Sequence, residues 1–186
     1  MLLYPWFRTS WTQWCRSLER DSVSSATLLV VKDGMGDADF IDLLVRSLLC
    51  DDGHQLCGVC HSCRLMDAKS HPDFHLVEPE KAGKPITVEQ VRQINLLAQE
   101  SSQFSGYRVI VIRPADAMNE SAANALLKTL EESPAQCRFI LTTATITRIL
   151  PTILSRCRQL HVPEPPQQMI VDWLFSETSQ RIPPMF

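Results

Sequence analysis

The densest chemistry in the sequence is a run of cysteines. Cys57, Cys60 and Cys63 form C-x2-C-x2-C, and Cys50 stands seven residues upstream. Four thiolates suit a closed tetrahedral zinc site, with Zn–S bonds of about 2.3 Å and no open position for a reaction. An iron–sulfur cluster is the rival, but the ferredoxin-type run places a further cysteine soon after, followed by proline. Here Asp67 follows and no such cysteine does, so zinc is favoured over the cluster and over four plain reduced thiols. The full count of cysteines is seven, which is odd, and the N-terminus has neither a basic segment nor a small-residue cleavage site. A disulfide framework is therefore not expected. His54, His61 and His71 lie close by but are unnecessary to a four-cysteine site, and Cys15 and Cys137 read as small, mostly buried residues.

A second stretch has the setting of a phosphate site without its chemistry. A working phosphate loop reads G-x-x-x-x-G-K-[ST] between a strand and a helix, its lysine reaching the phosphates and its hydroxyl holding Mg²⁺. The apolar run at 27–31 leads into Gly34-Met35-Gly36 and then into a helical pattern. Aligned on Gly36, Val31 takes the first glycine's place, Asp37 the lysine's and Ala38 the hydroxyl's. A carboxylate here repels a phosphate. Two unit charges about 4 Å apart interact by about 4 kcal/mol at an effective dielectric of about 20, which is about three decades in affinity. Taken alone, the motif is also what an ordinary glycine-containing turn looks like. A second position tips the balance. ATPases of this kind carry acidic residues at the end of a buried strand, for Mg²⁺ and for the attacking water. After the run at 108–112 this sequence has Arg113 and Pro114, and Asp116 lies too far on to substitute. Failure at both places points to a retired ATP site, where no ATP is expected to bind.

These residues need a scaffold, and hydrophobic periodicity supplies one. Short apolar runs at 27–31, 74–78, 108–112, 138–143 and 158–162 predict buried strands. Between them, Phe40, Leu43, Leu44 and Leu48 recur at helical spacing, as do Val91, Ile94 and Ala98 behind a Thr87 N-cap with Gln90 three residues on. Ala123, Leu126, Leu127 and Leu130 form a third stripe. Strands alternating with helices predict an α/β fold, a parallel sheet covered on both faces. Residues 163–166, Pro-Glu-Pro-Pro, read as a linker before a last amphipathic stretch through Met169, Ile170, Trp173 and Leu174. The chain has 186 residues, is 45% hydrophobic and carries a net charge of −3, so no basic balance announces a general nucleic-acid binder. No apolar run approaches the roughly 20 residues of a membrane span, and a soluble, cytoplasmic protein is expected.

The segment 115–134, ADAMNESAANALLKTLEESP, and LPTILSRCRQL at 150–160 closely resemble the clamp-loader subunits of bacterial DNA polymerase III, which are AAA+ proteins. The cysteine cluster, SHPDFHLVEPE at 70–80 and YPW at 4–6 resemble the delta-prime type among them. The resemblance implies a degenerate P-loop NTPase-like (AAA+) domain over residues 1–163 with an inserted structural zinc module at 50–63. Residues 164–186 would be a linker and the first helix of an incomplete helical lid, and the helical collar of such proteins has no counterpart in the sequence. It further implies a non-hydrolysing member of a ring, with gamma/tau-type ATPase subunits and a delta subunit as partners, meeting the sliding clamp and primer-template DNA through the complex. In that family a Ser-Arg-Cys motif, here Ser155-Arg156-Cys157, faces a neighbour's ATP site. Arg156 would then be an arginine finger, a planar permanent cation stabilising charge on the transferring γ-phosphoryl group. By residue type alone, Arg156 is a surface arginine at a helix end. Thr142 and Thr143 stand where a polar sensor belongs and read as structural. Arg108 and Lys128, candidates for a DNA or partner contact, read as solvated charges, and Trp6 and Trp173 read as packing residues. Two other functions stay open: an active AAA+ ATPase with an unusual loop, and a zinc-containing nucleic-acid-binding module.

Overall fold

β-branched and other apolar residues fill the three middle strands, which are buried on both faces, while the two outer strands are more polar and more exposed. The computed structural model describes residues 3–53, 56–104 and 106–181. Its elements in chain order are α1 (Arg8–Glu19), β1 (Ala26–Val30), α2 (Asp37–Leu49), α3 (His61–Asp67), β2 (Phe74–Val77), α4 (Val88–Gln99), β3 (Arg108–Ile112), α5 (Glu120–Glu132), β4 (Cys137–Thr143), α6 (Pro151–Leu154), β5 (Arg158–His161) and α7 (Gln167–Arg181). The five strands form one sheet in the order β2-β3-β4-β1-β5, and every pairing is parallel.

Period-two alternation divides the core between the two faces. Val109 and Val111 of β3 join Leu29 of β1, Phe40 and Leu44 of α2 and Trp14 of α1 on one side. Ile110 and Ile112 join Leu28, Leu141, Ile94 of α4 and Leu126 of α5 on the other. All five residues of β3 are buried, as a central parallel strand requires.

The helix starts follow their local chemistry. Thr87 caps α4, its Oγ1 accepting from the Gln90 N–H at 3.4 Å while Gln90 Oε1 accepts from the Thr87 N–H at 3.0 Å, the predicted capping box. Asn119 caps α5 through the Ala122 N–H at 2.8 Å, and Pro151 opens α6. The strands begin or end within a residue of their predicted limits. Helices α1 and α3 were not predicted: α1 buries only Trp14, Leu18 and two serines, and α3 is seven residues inside the cysteine loop.

One expectation is corrected. Arg108 is neither a solvated charge nor a DNA-contacting one but 2% exposed. Its guanidinium donates to Asp73 at 3.3 Å, to Glu100 at 3.0 Å and to the carbonyls of Leu97 and Ser101 at 2.6 and 2.8 Å. A buried cation needs such partners, and they lie up to 35 residues away in sequence. Lys128 is exposed. Cys137 is buried as expected, whereas Cys15 is only half-buried. Trp6 packs against Tyr4 and Trp173, with ring centroids 5.0 and 5.6 Å away. Among the described residues no helix is long and apolar enough to cross a membrane.

Candidate functional site

The loop between β1 and α2 is held shut by its own charges. Gly34 and Gly36 both have positive φ, +80° and +82°, a conformation that L side chains rarely adopt. Asp37, the first residue of α2, is 5% exposed. Its carboxylate turns back to accept from the Gly34 N–H at 3.1 Å and from Arg113 Nη2 at 2.7 Å. Arg113, just past β3, also lies 3.9 Å from Glu78 at the end of β2. The position that aligns with a phosphate loop's lysine thus carries an anion, the position expected to carry an acid carries a cation, and the two pair with each other. Ala38 is exposed and offers no hydroxyl.

Two further groups close the corner. Tyr4 lies against Gly36 so tightly that a Cβ added there would be driven into its ring. The Tyr4 hydroxyl bonds Asp39 at 3.1 Å, and Trp6 Nε1 donates to the Met35 carbonyl at 2.8 Å. At the end of β4, the Thr143 hydroxyl donates to Asp116 at 2.8 Å, and Arg148 lies 3.8 Å from the same carboxylate. Thr143 is 1% exposed and acts as a tie between two loops.

Arg156 occupies a different corner. It follows α6 and precedes β5, with Cys157 pointing into the core at 9% exposure and Ser155 at the surface. Burial pushes the Cys157 thiol up to about 11. The Arg156 side chain is 32% exposed. Nε donates to Glu131 Oε1 at 2.6 Å and Nη2 pairs with the same oxygen, while Nη1 reaches the Thr152 carbonyl at 2.7 Å and Ser155 Oγ at 3.3 Å. Glu131, in the last turn of α5, and Tyr4 are the site residues that sequence patterning missed. Tyr4 entered only through the YPW resemblance, and nothing in the period of α5 marks Glu131.

The cysteine run closes into a four-sulfur cluster. The Sγ atoms of Cys50, Cys57, Cys60 and Cys63 all lie within 4.8 Å of one another, with Cys50 to Cys57 at 3.6 Å and Cys50 to Cys60 at 4.0 Å. A regular tetrahedron of about 2.3 Å bonds sets its ligands about 3.8 Å apart, so the cluster can hold a metal ion. The backbone supports it: Cys57 Sγ accepts from the Cys60 N–H and Cys60 Sγ from the Cys63 N–H, both at 3.4 Å, the second bond capping α3. As free thiols Cys57 and Cys63 differ. Backbone N–H groups of Val59 and Cys60 hold Cys57 down at about 7, whereas burial pushes Cys63 up to about 12. Asp51 ties the loop to α3 by accepting from the Ser62 hydroxyl at 2.6 Å and its N–H at 3.2 Å, which holds its own carboxyl below the ordinary range. The rings of His61 and His71 face Phe104 instead of joining the cluster. His54 lies outside the described residues.

Residues 8–166 match the family model described as DNA polymerase III, delta subunit. The DNA polymerase III subunit delta' of Escherichia coli K12 is 39% identical over 181 residues, covering 96% of this chain and 54% of that protein. That of Haemophilus influenzae is 36% identical, covering 95% and 54%, and that of Bacillus subtilis 36%, covering 77% and 44%. The chain thus spans about half the length of the curated relatives it matches. Among solved structures, a DNA polymerase III gamma subunit-related protein of Thermotoga maritima superposes with a TM-score of 0.57 at 21% identity, over 86% of this chain and 47% of that one. The RuvB Holliday junction branch migration motor of the same organism gives 0.54 at 12% identity, over 95% and 50%. These two likenesses establish the AAA+-like fold.

Proposed function

The chain belongs to the DNA polymerase III delta-prime subunit family, and from that premise we propose that it is a non-hydrolysing, stator-like member of a clamp-loader ring that completes the ATP site of a neighbouring ATPase subunit. The observation that carries this reading is the 2.7 Å pair of Asp37 and Arg113. It reverses the charges that phosphate and Mg²⁺ require, and the Tyr4 ring packs over the same loop. An active ATPase would have to break that pair and displace that ring.

Arg156 is the group offered to the neighbour. It enters β5 at the strand's N-terminal end, while the loop follows β1 at the C-terminal end of a parallel neighbour, Thr27 pairing with Arg158. The five residues of β1 span about 17 Å at roughly 3.3 Å per residue, beyond a side chain's reach. Such an arginine cannot serve this chain's own loop, and on the proposed reading it serves a neighbour's phosphates. On this reading α7 begins the lid over the linker at 163–166, and gamma/tau-type ATPase subunits, a delta subunit, the clamp and primer-template DNA are met in the assembly.

The test is reconstitution. The chain is mixed with the ATPase and delta subunits of its own source, and complex formation and ATP turnover are followed. Arg156→Ala should cut turnover about 10³-fold or more, the typical worth of a finger supplied in trans; turnover at the parent rate would sink the proposal. The metal is assigned as structural zinc, because four protein sulfurs leave no open position. Metal analysis should give one zinc per chain. Chelation should raise amide exchange across residues 50–67 without unfolding the sheet, and a metal-free chain with the same exchange pattern would remove the assignment.

A further inference from the structure

Arg156 is held in a pose that could not grip a phosphoryl group with two parallel N–H donors. A guanidinium has five N–H donors, and its strong grip on a phosphate is bidentate, two parallel N–H groups on two oxygens. Here Nε and Nη2 are both given to Glu131 Oε1, and Nη1 is given to the Thr152 carbonyl and Ser155 Oγ. Among the described residues this leaves one N–H, on Nη2, uncommitted. The outer edge of the fork cannot offer two. The Glu131 carboxylate also stands beside the guanidinium and would repel an incoming γ-phosphoryl group.

We propose that Glu131 is a positioning residue that parks Arg156 against its own chain and so limits how readily the arginine is deployed to a neighbour's ATP. This rests on the reading of Arg156 as a trans-acting finger. The strength of the hold suits the task. Both side chains are partly solvated, 32% and 46% exposed, and an ion pair in that setting contributes at most about 1 kcal/mol, a factor of about five. A hold of that size slows deployment without preventing it, whereas a fully buried pair would make the arginine unusable.

The experiment measures ATP turnover at saturating ATP in a clamp-loader complex reconstituted with this protein, comparing the parent with Glu131→Gln, Glu131→Ala, Arg156→Ala and Glu131→Gln/Arg156→Ala. Glu131→Gln should raise turnover about two- to fivefold, and Glu131→Ala, which removes the acceptor altogether, at least as much. The gain should shrink as salt is raised, since the hold is ionic, and should vanish in the double variant, which falls to the Arg156→Ala rate. Turnover unchanged or slower in both Glu131 variants, while Arg156→Ala is slow, overturns the parking role and leaves the finger standing. A gain that survives in the Arg156→Ala background overturns it too, because Glu131 would then act elsewhere. Arg156→Ala at the parent rate removes both proposals.

Discussion

The two arginine corners of this molecule use the same kind of bond to opposite ends. Arg113 meets an Asp37 carboxylate that is 7% exposed, in a loop whose Gly36 lies against the Tyr4 ring, and the pair ties that loop to the end of β3. Arg156 meets a Glu131 carboxylate that is 46% exposed at the surface, and that pair can be exchanged for another. The lesson is about solvent more than charge. The two guanidiniums are about equally exposed, 31% and 32%, so the difference lies with the acids: removing the partner of a buried carboxylate strands a charge with little water, and the pair becomes structure. A pair in contact with water costs little to open, so the cation remains available to a ligand.

The contrast can be broken most sharply at Arg156. Its loss is expected to cost turnover in the complex, about 10³-fold, while shifting the melting temperature of the chain by no more than about 3 °C. A large loss of stability would make Arg156 a structural residue like Arg113. The next largest effect is the reverse. Arg113→Ala should destabilise folding by about 2–3 kcal/mol in urea titration, since it leaves Asp37 buried and unpaired. It should not create Mg-ATP binding, because the Tyr4 ring still packs against Gly36. Double-mutant cycles then put numbers on the contrast: coupling of about 1.5 kcal/mol or more for Asp37 with Arg113, and about 0–1 kcal/mol for Glu131 with Arg156. Equal couplings would erase it.

The smallest effect is a control. Burial holds His71 and His75 below the usual 6.5, so the folded chain binds fewer protons at these rings than the unfolded one. Their contribution is fully present above about pH 6.5 and is lost as the pH falls below that value. The urea midpoint should therefore drop between pH 7.5 and 5.5. Neither arginine corner is built from histidine, so the drop should be the same in the Arg113→Ala and Arg156→Ala variants.

Much of this architecture was legible in the sequence. The strands at 27–31, 108–112 and 138–143 are legible because a central parallel strand must be apolar on both faces, whereas those at 74–78 and 158–162 are the sheet's edges, β5 burying only Leu160. Spacing alone drew the cysteine cluster together, because ligands within fourteen residues meet whatever the surrounding fold does. What stayed hidden was pairing between charges far apart in the chain. Asp37 and Arg113 each read as unsuited to ATP, but nothing in the sequence says that they pair with each other across 76 residues. Arg108 was misjudged for the same reason, since its partners come from two other loops and a helix end. Glu131 sits among ordinary helix-surface acids, and only the return of the chain after α6 gives it an arginine.

The reversed pair also constrains the protein's history and its engineering. Putting lysine at position 37 alone would press a cation against Arg113, and putting aspartate at position 113 alone would press a carboxylate against Asp37. Each single step towards an ATP-binding loop therefore passes through a like-charge clash in a spot with little water to relieve it. Either change is tolerable only once the opposing residue no longer carries the like charge. On the proposed reading of this loop as a phosphate loop with its charges exchanged, the pair behaves as a ratchet against direct reversal: the two charges must change together or pass through a neutral residue first.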